Sequence, residues 1–171
     1  MKTEIEKYHA CRAAVEYRKQ FDTFEQAWNA CERGDWMLWI ASKAGVDKRT
    51  LTLAKGLCAE TVIHLMKDKR SVKAVQTTIT YGKGEATDQE LANAAANAAY
   101  AVVYANAANA AYAVVYAADA AAANAAYAAV YAADAAYAAA NAAYAVWKEN
   151  QLKTANICRE VLTEKVLKLI S

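Results

Sequence analysis

The residues best placed to do chemistry fall in two groups. Trp36 and Trp39 stand three apart, on one face of any helix that carries them, with Trp28 just upstream. Tryptophan anchors protein interfaces, and it also fills cores. The expectation is a core cluster in which Trp28, Trp36 and Trp39 are mostly buried and at least two touch. The second group is a ladder. Asn-Ala-Ala-Tyr begins at Asn97, Asn109, Asn124 and Asn141, and Tyr104, Tyr116 and Tyr131 follow one helical turn after the first three motif tyrosines. Tyr rings stack on planar groups and Asn bonds polar edges, so Tyr104, Tyr116, Asn97 and Asn109 could line a groove for a nucleotide-like ligand. Asp119, three residues after Tyr116, would place a carboxylate beside one ring. The competing role is interhelical packing with every hydroxyl paired, expected for most of these tyrosines, with Tyr104 and Tyr116 the candidate exceptions.

Other constellations are weaker. Cys11, Cys31, Cys58 and Cys158 are scattered, without a C-x-x-C pair, and the only histidines are His9 and His64. Reduced, buried thiols in a cytoplasmic protein are expected, not a zinc site. Asp119 and Asp134 read as helix caps before they read as a catalytic carboxylate pair. Lys67-Asp68-Lys69-Arg70 reads as a solvated turn, and Gly82-Lys83-Gly84 lacks the phosphate-loop pattern. No nucleophile elbow, metal signature or cofactor fingerprint is present, so no catalytic residue, metal or cofactor is expected.

The elements that position these residues are helices. The 171 residues include no proline and only five glycines, and 57% are apolar. That composition suits an all-α domain and excludes a disordered tail. Net charge is +2, which gives no footprint for duplex nucleic acid. The start is charged and no long stretch is rich in Leu, Ile and Phe, so neither a signal peptide nor a membrane span is expected. Three parts share one domain, 1–171: a mixed Trp-containing part (1–90), an Ala/Tyr/Asn-rich part (91–147) and an amphipathic C-terminal helix (148–171).

In the first part, Ile5, Tyr8, Arg12 and Val15 mark one helix face. Thr23 and Gln26 form a capping box for a helix that Gly34 ends. Asp35 caps Trp36 to Ala44, which Gly45 ends. Asp47 caps a longer helix through Leu51, Ala54, Cys58, Val62 and Leu65. Ser71 opens another, although Val75 to Tyr81 has strand propensity. Thr87 and Glu90 make a full capping box. The last helix carries a stripe of Cys158, Val161, Leu162, Val166 and Leu169.

The middle part holds 33 alanines in 57 positions, with Asp119 and Asp134 its only charges. Its Asn motifs are spaced 12, 15 and 17 residues apart, which rotates successive Tyr pairs by roughly 120°, 60° and 260° on one helix. A straight helix of that length would reach about 85 Å, against a radius of gyration of about 16 Å for a compact chain of this size. The segment is therefore expected to fold back into about three helices, closely packed through Ala faces, with eight or nine helices in all.

The order of motifs carries a resemblance. Ala10-Cys11, Ala27-Trp28-Asn29-Ala30-Cys31, Asp35-Trp36-Met37-Leu38-Trp39-Ile40, a capping box, an Ala/Tyr tract and an amphipathic tail follow one another. From about residue 10 to 165 the chain resembles the all-helical, alanine-rich immunity protein family found beside bacterial toxin systems and in phage genomes. Members often carry Arg and His within the Ala tract, whereas here no Lys, Arg or His lies between Lys83 and Lys148. This chain either differs in recognition or uses Asn and Tyr instead. The resemblance implies a non-enzymatic binding protein that neutralises a partner toxin or defence effector. Sequestration of a small polar, nucleotide-like ligand is the alternative, and a self-assembling helical module that forms homo-oligomers is a third.

Overall fold

Capping chemistry sets most of the helix starts. A computed structural model describes residues 3–66, 68–104 and 143–170, and of 99–104 and 143–146 only the helical backbone. It shows α1 (Arg12–Arg18), α2 (Phe24–Ala30), α3 (Gly34–Ala44), α4 (Lys48–Glu60), α5 (Lys69–Lys83), α6 (Asp88–Tyr104) and α7 (Ala143–Ile170). Short 3₁₀ turns at Glu6–Tyr8 and Ile63–Leu65 complete them, and no strand occurs among the described residues. The protein is all-α. The expected fold-back of the Ala/Tyr/Asn-rich part, with Asp119 and Asp134 as helix caps, falls on residues 105–142, outside the described residues.

The Thr23/Gln26 capping box is present in both directions. Asp47 accepts from the Thr50 backbone N–H at 3.0 Å, and Thr87 and Glu90 cap α6 reciprocally. Gly45 ends α3 in the left-handed region. Other boundaries differ from the sequence reading. The first apolar stripe is broken at His9, at φ 61°, so Ile5 and Val15 enter the core from separate pieces and Arg12 is exposed. Asp68, not Ser71, caps α5. Val75 to Tyr81 is helical because Ala74, Val75 and Ile79 share a face that packs on Ala59, Ala94 and Ala98. Gly34 does not end α2. It opens α3, and Asp35 lies in that helix's first turn.

That last difference has a packing cause. A Cβ at Gly34 would lie 2.3 Å from Thr154 Oγ1 and 2.8 Å from the Thr154 backbone. Only glycine lets the start of α3 rest on α7. Two thiols reinforce the junction, Cys158 donating to the Gly34 carbonyl at 3.7 Å and Cys58 to the Thr154 carbonyl at 3.8 Å. Gly82 has the same use between α4 and α5, where a Cβ would meet the Leu53 backbone at 2.6 Å.

Helix α7 is the spine. Its buried stripe is Ala155, Cys158, Leu162, Val166 and Ile170, joined by Trp28, Met37, Leu38 and Ala54 from α2, α3 and α4. Leu169, placed in the stripe by sequence, is 45% exposed, and Ile170 takes the core position. Beyond α4, α5 and then α6 pack in turn around the second apolar patch. Of the thiols, Cys31, Cys58 and Cys158 are buried as expected, whereas Cys11 is exposed because it precedes the first turn of α1.

Replacing Gly34 with Ala is expected to cost about 1–3 kcal/mol, the range for overpacking, despite the better helix propensity of alanine. Urea denaturation checks this, and an unchanged midpoint would mean that α3 can slide off Thr154 freely.

Candidate functional site

Where α3 meets the start of α7, the chain builds a groove of about 330 Å³, lined by Tyr17, Glu32, Arg33, Trp36, Trp147 and Gln151, among others. Arg33 is its centre. The residue precedes Gly34, so the close approach on Thr154 delivers its side chain to α7. Its guanidinium carbon lies 4.6 Å from the Trp36 ring centre and 5.9 Å from that of Trp147. Asp35 fixes the orientation. Arg33 Nε donates to Asp35 Oδ1 at 2.8 Å and Nη2 donates to Oδ2. Asp35 is buried, and the bidentate pair supplies the bonds that a buried carboxylate needs. The same bond, ahead of the desolvation that opposes it, holds the guanidinium above its ordinary pKa.

The far wall is also fixed. Tyr17 packs tilted on Trp36, ring centres 5.7 Å apart, and donates its hydroxyl to the Ala27 carbonyl at 3.1 Å. Burial, then the neighbouring Cys31 and Glu32, pushes its pKa up to about 12. Arg159 of α7 donates to the Cys31 and Asn29 carbonyls at 2.6 and 3.3 Å. It thereby satisfies the end of α2 with a cation where the helix dipole favours one. Gln151, one turn after Trp147, is 3% exposed. Its Oε1 has no hydrogen-bond partner among the described residues.

The sequence-predicted site residues divide. Trp28 is buried at 3% exposure, and its indole N–H donates to Thr163 at 2.8 Å. Trp36 and Trp39 are only half-buried, a correction to the expectation of three mostly buried rings. They sit where α3 turns from the core to the groove and the surface. All three border one apolar cavity of about 50 Å³ with Phe24 and Met37. The ring partners of Trp28 and Trp36 are Phe24 and Tyr17, respectively. Asn97 is exposed on α6, an element packed on α5, so it does not share the groove. Tyr104 ends α6, while Asn109, Tyr116 and Asp119 lie outside the described residues.

Arg33, Trp147 and Gln151 were not singled out by sequence. Their signal was the i, i+4 spacing of Trp147 and Gln151 directly after the Ala tract, and a basic residue two before Asp35. Lys55 was also missed. It is 2% exposed in the middle of α4, with no hydrogen-bond or ion-pair partner among the described residues. Burial alone pulls its ammonium down to about 8. Its signal was a second small or apolar stripe, Thr52, Ala59 and Val62, in which Lys55 stands.

No histidine, cysteine and carboxylate cluster among the described residues could hold a metal ion. No described helix is long and apolar enough to cross a membrane. No family model matches the chain, and neither a curated protein nor a solved structure does.

Two outcomes check this geometry. Trp28→Ala is expected to destabilise by about 3–5 kcal/mol, as truncating a core aromatic does. Trp36→Ala is expected to cost clearly less, because part of its ring already faces water. Chemical denaturation of both variants gives the order, and an equal loss would place Trp36 in the core. For Lys55, folded and unfolded pKa values of about 8 and 10.5 fix the sign. Below pH 8 both states hold the proton and the burial penalty is complete. Between pH 8 and 10.5 only the unfolded state stays charged, so stability rises by up to about 3 kcal/mol. Lys55→Met lacks that rise, so its stability advantage over wild type should shrink by the same amount between pH 8 and 10.5 in denaturation curves, and a constant difference would mean that Lys55 titrates as an exposed amine.

Proposed function

We propose that the protein is a non-enzymatic binding protein of the immunity kind, neutralising a partner toxin or defence effector through the Arg33 groove. The observation that supports this reading is the half-exposed stack of Trp36, Arg33 and Trp147, locked by buried Asp35. Tryptophan and arginine dominate interface energetics, and a side chain held in its bound conformation loses little entropy on association. The motif order from Ala10 to the tail helix supports the same reading. It goes with a cytoplasmic, single-domain bundle of eight or nine helices, without cofactor or metal, in which Trp36 is the anchor that the sequence suggested and Trp39 flanks it.

The test is co-expression with each protein encoded by a neighbouring gene, reading cell survival for any that proves toxic. The wild-type chain should protect. Arg33→Ala and Trp147→Ala, each verified as folded by circular dichroism, should lower affinity for the purified toxin by at least about tenfold, the effect of losing about 1.4 kcal/mol at a hot spot. Unchanged affinity in both would move the contact surface elsewhere.

A further inference from the structure

Thiols gather where α3, α4 and α7 meet, and the binding reading uses none of them. Cys58 of α4 donates to the Thr154 carbonyl at 3.8 Å, and Cys158 of α7 donates to the Gly34 carbonyl at 3.7 Å. Thr154 precedes Cys158 by one helical turn. The carbonyl that receives the Cys58 thiol is therefore the one to which the Cys158 backbone N–H is directed. The two side chains approach one spot from two packed helices. They are also neighbours of each other: burial, and after it the hydrogen bond with the Cys58 thiol, push Cys158 well above the ordinary thiol pKa. Cys58 is 1% exposed and Cys158 is 0% exposed. No cluster of three metal-ligating side chains occurs among the described residues, so the chemistry open to this pair is with itself.

We infer that Cys58 and Cys158 are a modification site, a pair that hydrogen peroxide converts into a disulfide joining α4 to α7. A disulfide the size of oxidised glutathione has no access to so closed a pair, whereas peroxide is little larger than water. One thiolate attacks peroxide: an S–O bond forms, the O–O bond breaks, and hydroxide takes up the thiol proton and leaves as water. The second sulfur attacks the sulfenic sulfur: the S–S bond forms, the S–O bond breaks, and the second thiol proton leaves with that oxygen as water. Two thiols lose two electrons, and peroxide is reduced to two waters. The two residues stand a hundred apart, and α5, α6 and the Ala/Tyr/Asn-rich part all lie between them. A bond across so long a loop removes much freedom from the unfolded chain. It also withdraws both S–H donors from the Gly34 and Thr154 carbonyls, at the start of α3 beside Arg33. None of this chemistry depends on what the groove binds.

Peroxide treatment of the native chain tests the pair. The protein is oxidised at neutral pH without denaturant, alkylated, digested without reduction and mapped by mass spectrometry. The expected product is a peptide pair joined through Cys58 and Cys158, lighter by two hydrogens and separated again by a reductant. The urea midpoint of the oxidised chain should lie above that of the reduced chain. Cys58→Ala and Cys158→Ala should each abolish the cross-link and the shift, whereas Cys11→Ser, at the exposed thiol, should keep both. The map is read on the wild-type chain, so the test stands if an alanine variant does not fold. Cys58 and Cys158 still free after Cys11 is oxidised would overturn the pairing. So would a cross-link from Cys158 to Cys31, whose thiol donates to the nearby Arg33 carbonyl at 3.6 Å. Irreversible sulfinic acid at either position, or an unchanged midpoint, would overturn it as well.

Discussion

The contact of Gly34 with Thr154 holds the described structure together. Two helix backbones meet there at a distance that admits no Cβ. Thr154 can sit in such a contact because its hydroxyl donates back to the Gln151 carbonyl at 2.9 Å and leaves no polar atom stranded. Cys58 and Cys158 close the same junction with weak S–H donors and are small enough to let α4 join. From that point the consequences run outward. Met37 and Leu38 turn inward onto α7, while Arg33 and Trp36 flank the contact and meet Trp147 and Gln151. The groove is thus a by-product of a close helix approach in the core.

Arg33, half-exposed, and Lys55, buried, show how differently one protein can treat a cation. Arg33 is delocalised, lies over an aromatic ring and has a bidentate carboxylate, whose hydrogen bonds raise its pKa against the opposing desolvation. Lys55 is a point charge with no partner among the described residues, and burial lowers its pKa. An unpaired buried ammonium is a net destabilising feature, one that a domain of ordinary stability tolerates only because the loss is a few kcal/mol of a larger total. The arginine is the better recognition element for the same reason: its charge is already compensated, so contact with a partner strips little further solvation from it.

Helix ends were legible wherever capping was local. Thr23 with Gln26, Asp47 with Thr50, Thr87 with Glu90, and Gly45 act within one turn, and the backbone needs nothing distant to obey them. Val75 to Tyr81 shows the opposite. Its β-branched residues suit a strand, and the neighbouring Ala59, Ala94 and Ala98 surface made the helical face the one that buries apolar area. The site was less visible. Trp36 could be named from its type, but its half-exposure depends on where α3 leaves the core.

By itself, the sequence determined the helical class, the capped starts, the free thiols and the apolar stripe of α7 through Cys158, Leu162 and Val166. These follow from composition and from periodicities of three to four residues, which act over one turn of chain. Only the tertiary structure decided that Gly34 opens a helix rather than ending one, that Leu169 faces water, that Lys55 is buried, and that Arg33, Trp36, Trp147 and Gln151 share a groove. Arg33 and Trp147 lie more than a hundred residues apart in the sequence. No local pattern encodes such a pairing, because it depends on which two helix surfaces are smooth enough to touch, and that is a property of both surfaces at once.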